Sequence, residues 1–422
     1  MQLPLSLTVQ SLANAMLAKS GLKSVFHLMI SIVMGAVESA RKVATDYVLV
    51  IDHSGSTGSI LNSGASILDT AKDAGQKVVD NLDPGDRIAI VGFSPAHTVL
   101  NLTTSDNAGK AKAGNALYAL PCDGGTEYAP ALKHAMRLFG TESNRKKVII
   151  MFTDGQDFGP DPLPICTEIK EAGITLFVGG LGVNNEGEKL LDSMAGANFK
   201  SLNTADEVTA FFADAQAQAA MAAVTNAQLR ITPVTFAQVM NFEKVTRGGK
   251  PDYVPADASS KLIPIGDIAV SDRIECYLSM NVVLPEDIKP GRRAFGKIEL
   301  VGDVPSEGTK AQVLCSTPIA VQFSATAVPG MNEAVKDMIN LAAASRETYK
   351  YAQTGDASHL AAARKTVGFS QAEAAKALAA QLASIQAQAA QDPDAAAKQA
   401  RRATKGFSAA EAAEALKKLK KN

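Results

Sequence analysis

The sequence predicts a doubly wound α/β domain inserted in a β-sandwich, followed by an α-helical C-terminal region. Three observations carry this. Between about residues 45 and 222, short apolar runs alternate with amphipathic ones, the pattern of a mostly parallel sheet covered by helices on both faces. On either side, at 1–44 and 226–326, apolar residues alternate with polar ones or stand between Pro-, Gly- and Asp-rich turns, with no helical period. From 329 to 422 the chain is rich in Ala and contains an internal repeat.

In the first region Leu3, Leu5, Leu7 and Val9 alternate with polar or turn residues, and Phe26, Leu28, Ile30, Ile32 and Met34 line one face of a second run. Both read as strands, and both need a sheet to join. They are assigned to the sandwich at 226–326, so that the α/β domain interrupts it. Within the α/β domain, Tyr47-Val48-Leu49-Val50-Ile51 is apolar throughout, as a strand buried on both faces requires. A helix is expected at 60–82, stopped by Asp83-Pro84-Gly85, then a hairpin of strands 87–93 and 98–102. Helices at 128–139, 162–172, 186–194 and 205–223 and strands at 148–152 and 174–178 complete it. In the sandwich, strands are expected at 229–231, 275–283, 294–301 and 311–323.

The C-terminal repeat has a period of 38 residues: Gly368-Phe369-Ser370-Gln371-Ala372-Glu373 recurs as Gly406-Phe407-Ser408-Ala409-Ala410-Glu411, with a fainter copy at Gly330-Met331-Asn332. Ser370 with Glu373, and Ser408 with Glu411, have capping-box spacing, so each copy is expected to start a helix. Stacked helical hairpins of this type commonly dock on partners or on one another.

Bulk composition narrows the function. A net charge of -1 does not suit a nucleic-acid coat or an acidic membrane. No Trp and 5% aromatics argue against base stacking. Basic residues do gather late, at Arg401-Arg402 and Lys417 to Lys421, where they suit helix C-termini. The cysteines at 122, 166, 276 and 315 form no CxxC pair; reduced thiols are expected, with a Cys276–Cys315 bridge as the alternative. The N-terminus lacks early Lys or Arg, and the most apolar stretch, 25–37, falls short of the roughly 20 residues that span a bilayer. A cytoplasmic protein without membrane contact is the expectation.

Chemistry concentrates in three short segments. Asp52-His53-Ser54-Gly55-Ser56 follows the buried strand, Gly124-Gly125-Thr126 leads into a helix, and Thr153-Asp154-Gly155 ends another strand. In an open α/β sheet such loops meet where the strand order reverses. With strand order 3-2-1-4-5-6, Asp52, Ser54, Ser56, Thr126 and Asp154 converge as five oxygen donors without nitrogen or sulfur. Hard donors select magnesium, with manganese or calcium as alternatives, over zinc or copper. Two carboxylates balance the ion, and the neutral hydroxyls leave it electrophilic toward an outside anionic oxygen.

This ordered set resembles the metal-ion-dependent adhesion site of von Willebrand factor A-type domains, over roughly 45–220. The resemblance implies that Ser54, Ser56 and Thr126 bind the metal directly, and that Asp52 and Asp154 act directly or through water. The flanking strands, with Ile265-Gly266-Asp267, and the following helices are similar to bacterial intracellular proteins of that superfamily, which commonly accompany AAA+ ATPases or kinase and phosphatase modules. A metal-dependent protein-binding scaffold, gripping an acidic or phosphorylated group, is therefore expected rather than an enzyme. A magnesium-dependent phosphohydrolase and a self-assembling structural protein are the alternatives. Asp157-Phe158-Gly159 imitates a kinase triplet without the companion motifs, and Gly179-Gly180-Leu181-Gly182 lacks nucleotide-loop spacing; both read as ordinary loops. His53 reads as an orienting or solvent-facing residue more readily than as a base.

Overall fold

The computed structural model describes all residues except 1–2, 13–15, 18–22, 36–42, 95, 143, 156, 257–261, 285–288, 327–329 and 406–422. The second full repeat copy and the basic tail at 417–421 lie outside the described residues. Two compact units form: one from 1–38, 227–302 and 311–407, the other from 39–226 with 303–310.

The chain starts with β1 (Leu5–Ser11), β2 (Met16–Leu17) and β3 (Lys23–Met34). β1 pairs antiparallel with β3, setting Leu7 opposite Ile32. The α/β unit then runs through β4 (Thr45–Asp52), α1 (Ile67–Asp80), β5 (Arg87–Phe93), β6 (Ala96–Thr104), α2 (Asn107–Tyr118) and α3 (Tyr128–Arg137). It continues with β7 (Lys146–Thr153), α4 (Leu163–Glu171), β8 (Thr175–Leu181), α5 (Asn185–Ala195), β9 (Phe199–Leu202) and α6 (Ala205–Met221).

The sheet order is β6-β5-β4-β7-β8-β9, which counted within the unit is 3-2-1-4-5-6. Only β6 is antiparallel. Every residue of β4 is buried, and the strand serves two cores. Tyr47, Leu49 and Ile51 pack with α1, α2 and α6 residues such as Ala71, Leu117 and Phe212. Val48 and Val50 pack with Leu132, Ile169 and Leu191 of α3, α4 and α5. The apolar run is thus explained by its place at the middle of the sheet.

At the opposite end from the strand C-termini, Asp46 is fully buried and clamped by two arginines: Arg87 Nε and Nη2 lie 2.8 and 2.6 Å away, and Arg145 Nε 2.8 Å. Next to it, the backbone N–H of Lys146 donates to Ala44 O, and its buried Nζ donates to Ala219 O and Ala220 O at 2.9 Å each.

Three elements differ from expectation. The helix expected from residue 60 starts at Ile67, because Ser66 caps it through the Asp69 N–H and the preceding residues close a loop with an Ile60–Ser66 bridge. A further helix, α2, has a weak apolar face and is announced mainly by Asp106, whose carboxylate caps it through the Gly109 N–H. β9, four residues long, was below the length that periodicity detects.

After α6 come β10 (Ala222–Pro233), β11 (Ala237–Arg247), β12 (Lys250–Ala256), β13 (Leu262–Ala269), β14 (Arg273–Val283), β15 (Gly291–Val304) and β16 (Thr309–Ser324). They build two five-stranded sheets, β1-β3-β14-β11-β12 and β13-β10-β15-β16-β2. The N-terminal strand β3 lies antiparallel to β14, with Ile32 opposite Ile274. β11, β12 and β13 are additional to the expected strands. β11 is bulged twice, which breaks period-2 alternation, and Pro interrupts the other two.

Helices α7 (Glu333–Thr354), α8 (Ala357–Val367), α9 (Glu373–Ala389) and α10 (Pro393–Ala403) share a core with one face of the first sheet. Leu341, Leu360, Leu378 and Ile385 meet Met29, Val245 and Tyr277 there. Asn332 caps α7 through the Ala334 and Val335 N–H groups, but the capping box expected at Ser370 and Glu373 does not form. The Gln371 N–H donates to Asp337 on α7, and Asn340 donates to Phe369 O, so the turn is pinned and α9 starts only at Glu373. Arg401, read as part of a basic end, is buried, with Nη2 donating to Ala352 O. All four cysteines are free, so Cys276 and Cys315 are not bridged. Among the described residues no helix is long and apolar enough to cross a membrane.

Candidate metal centre

β4 and β7 are parallel neighbours, and the chain leaves them in opposite directions along the sheet. The crevice past their C-terminal ends receives the loops after Asp52 and Thr153 and the loop before α3. The structure joins four of the five expected donors directly or through one neighbour. Ser54 Oγ lies 3.1 Å from Ser56 Oγ, which donates to Asp154 Oδ1 at 3.1 Å. Asp52 Oδ1 accepts the Ser54 N–H at 2.9 Å. Thr126 comes to the same place across Gly155: a Cβ there would stand 3.0 Å from Thr126 Oγ1 and 3.7 Å from Asp52 Oδ2. The two oxygens thus border one small gap that only glycine leaves open.

Backbone bonds lock the loops to one another. Gly55 N–H donates to Gly124 O, Asp123 N–H to His53 O, and Phe158 N–H to Thr126 O. Asp157, the first residue of the kinase-like triplet, accepts the Tyr128 and Gly159 N–H groups and so fixes the start of α3. His53 is buried, packed so close to Gly92 that a Cβ there would come within 2.9 Å of its Cδ2.

Three contributors were not read from the sequence. Thr153 Oγ1 donates to Asp52 Oδ2 at 2.5 Å, Tyr128 Oη donates to Gly155 O at 2.6 Å, and Cys122 Sγ reaches Ser54 O at 3.5 Å. Thr153 had a signal: it is a hydroxyl ending an apolar strand beside an Asp. Tyr128 and Cys122 had none, since their partners are backbone carbonyls.

The electrostatics fit a cation. Burial raises Asp154 to about 6, and the neighbouring Asp52 carboxylate pushes the same way. Burial also raises Asp52, against the bonds from Thr153 and Ser54 that favour its charged form. The segments 53–66, 119–127 and 154–162 contain no Lys or Arg to neutralise the pair. A divalent ion would supply that charge, and the donors are all hard oxygens. Among the described residues no group of three or more His, Cys, Asp or Glu could hold a metal, so an ion here would draw on hydroxyls or water beside the two carboxylates.

Gly124 has φ +86°, and a Cβ on it would fall 2.4 Å from Ser94 O, a backbone atom. Gly124→Ala is expected to destabilise by about 2–4 kcal/mol and to weaken magnesium binding about tenfold or more, by displacing the loop that carries Thr126. Urea unfolding and calorimetric titration check this; unchanged affinity would show that the loop does not position the site.

The sheet order and the helices on both of its faces place the unit in the doubly wound α/β class. Residues 46–219 match the profile of the von Willebrand factor type A domain, and the α/β unit is a domain of that type. Over 333 residues the chain is 22% identical to the uncharacterized protein sll0103 of Synechocystis, covering 76% of each. A 163-residue stretch is 31% identical to the collagen alpha-5(VI) chain of Mus musculus, covering 36% of this chain and 6% of that one. Two solved structures share the fold across the chain. A von Willebrand factor type A protein from Catenulispora acidiphila has a TM-score of 0.71 at 20% identity, covering 96% of this chain and 98% of its own. The ArnB paralog VWA2 from Sulfolobus acidocaldarius has 0.59 at 13%, covering 96% and 100%.

Proposed function

We propose that this protein is a metal-dependent protein-binding scaffold, in which Asp52, Ser54, Ser56, Thr126 and Asp154 hold magnesium and the ion grips an anionic oxygen of a partner. The observation that carries this reading is the run of oxygens from Ser54 through Ser56 to Asp154, with Asp52 and Thr126 facing each other across Gly155. Bound magnesium would act as a Lewis acid toward the incoming oxygen; the protein's part is to fix the donors and keep one direction open. Manganese or calcium would fit the same donors.

Binding rather than turnover is favoured by the side chains around the donors. The imidazole of His53 is packed under the strand, and the Asp157 carboxylate is occupied by two backbone N–H groups. Neither is presented as a general base. A cytoplasmic setting and an AAA+ ATPase or a kinase or phosphatase system as partner belong to the same reading, through the resemblance of the flanking domains.

The test is capture of partners by the full chain from its native cells, in magnesium and in EDTA. Proteins retained in magnesium and released by EDTA support the reading. A retained set identical in both conditions refutes it.

A further inference from the structure

The geometry points to a second binding site in the α/β unit, for a small free dianion of the phosphate class, in a cleft lined by Arg145, Lys147 and Lys310. It is independent of the metal-binding reading. Arg145 precedes β7 and Asp154 follows it, so the cleft and the metal loops stand at opposite ends of that strand. One wall is the turn between β15 and β16, whose residues 303–310 belong to this unit; the start of β7 and the turn after α4 supply the rest. The walls meet closely at Gly173. It has φ +72°, and a Cβ on it would stand 2.8 Å from Asp303 Oδ2, so glycine is what lets the two turns approach.

The first ground is charge. Four cations, Arg145, Lys146, Lys147 and Lys310, line the cleft against two carboxylates, Glu142 and Asp303. The groups behind the wall leave that excess unchanged, because Arg87 is ion-paired with Glu142 and shares Asp46 with Arg145. Lys146 adds charge from behind, its Nζ being held by Ala219 O and Ala220 O. Lys147 and Lys310 stand near enough to repel: burial lowers Lys147 below the ordinary lysine range, and the Lys310 charge pushes the same way. A dianion between them replaces that repulsion with two attractions and matches the excess of two positive charges.

The second ground is the supply of donors and the size of the space. Lys147 spends one ammonium proton on Gly140 O, and Arg145 directs Nε to Asp46 and Nη2 to Gly85 O, so both retain N–H groups for a ligand. The Thr225 hydroxyl lines the same cleft. The centres of water-sized groups have about 20 Å³ to occupy there, more than one water needs and far less than a nucleotide would. A compact oxyanion is the ligand that this combination of size and charge selects.

Calorimetric titration of the full chain with inorganic phosphate and with sulfate tests this. Metal-free buffer keeps the metal centre from contributing, and potassium chloride holds the ionic strength constant. Saturable binding of one phosphate or sulfate per chain supports the inference. Lys310→Gln and Lys147→Gln should each weaken it about tenfold or more, the loss of one charge-assisted hydrogen bond. Lys112→Gln, which removes an exposed lysine of α2, should leave it unchanged. Lys310 is exposed, so its replacement keeps the fold even if that of Lys147 does not. No saturable binding below about 20 mM overturns the inference, because a site weaker than that has gained nothing from its charges. Binding that Lys310→Gln leaves unchanged, or that Lys112→Gln weakens equally, overturns it as well.

Discussion

Asp52→Ala is expected to abolish the stabilisation that magnesium gives the protein while leaving the metal-free fold within about 1–2 kcal/mol of the original. The two halves of that expectation have separate causes. Without metal, the substitution strands the Thr153 hydroxyl and the Ser54 N–H, which costs about 1–3 kcal/mol. Against this it removes a carboxylate that burial already disfavours in its charged form and that pushes on Asp154. If the site holds magnesium as proposed, the original protein is expected to gain about 2.7 kcal/mol at a concentration one hundred times Kd, and the variant nothing. Urea unfolding in EDTA and in magnesium measures both; a variant that kept the magnesium shift would falsify the donor assignment. Asp154→Asn gives the complementary result. Its folded pKa of about 6 lies above the ordinary 3.8, so the metal-free protein is favoured while this carboxyl is protonated and loses stability as pH rises through that window. The amide is expected to add about 1–2 kcal/mol at pH 7 in EDTA, to flatten the profile between those values, and to forfeit the magnesium response.

The second large effect lies at the other end of the sheet. Asp46→Ala is expected to cost about 3 kcal/mol, because it leaves the Arg87 and Arg145 guanidinium groups facing each other with their shared counter-ion gone. Both arginines retain some exposure and rehydrate in part, which keeps the loss below that of a fully enclosed pair. Asp46→Asn should lose less, since one carbonyl oxygen still accepts. Magnesium affinity should stay unchanged in either variant, the pair standing at the far end of β4 from the metal loops. A loss under about 1 kcal/mol for Asp46→Ala would mean that the clamp contributes only orientation.

What the sequence revealed depended on how local the physics was. The run at 47–51 announced a central strand because burial on both faces leaves no polar position, and the alternation of strands and helices announced a mostly parallel sheet, whose order came only with the structure. The three donor segments were legible for the same reason: Asp, Ser, Gly and Thr stand where strands end, and the fold brings strand ends together. Features set by distant partners were not legible. Tyr128 is defined by Gly155 O and Cys122 by Ser54 O, and a backbone carbonyl leaves no mark on the sequence. The delayed start of α9 has the same origin, since Asp337 and Asn340 reach it from another helix. Local capping chemistry at Ser370 was correct in spacing and lost to that tertiary grip.

Lys146 gives the α/β unit a property that concerns its history. Its backbone holds Ala44, where the chain goes in, and its ammonium holds Ala219 and Ala220, where the chain comes out. Both ends of the unit therefore close on one residue. A module whose termini already touch can be spliced into a turn of an unrelated host, or joined end to end and reopened elsewhere, without stretching either partner. A circularly permuted version, cut at the α4–β8 turn at Gly173 and closed between 44 and 222, should keep its magnesium response if Lys146 is retained.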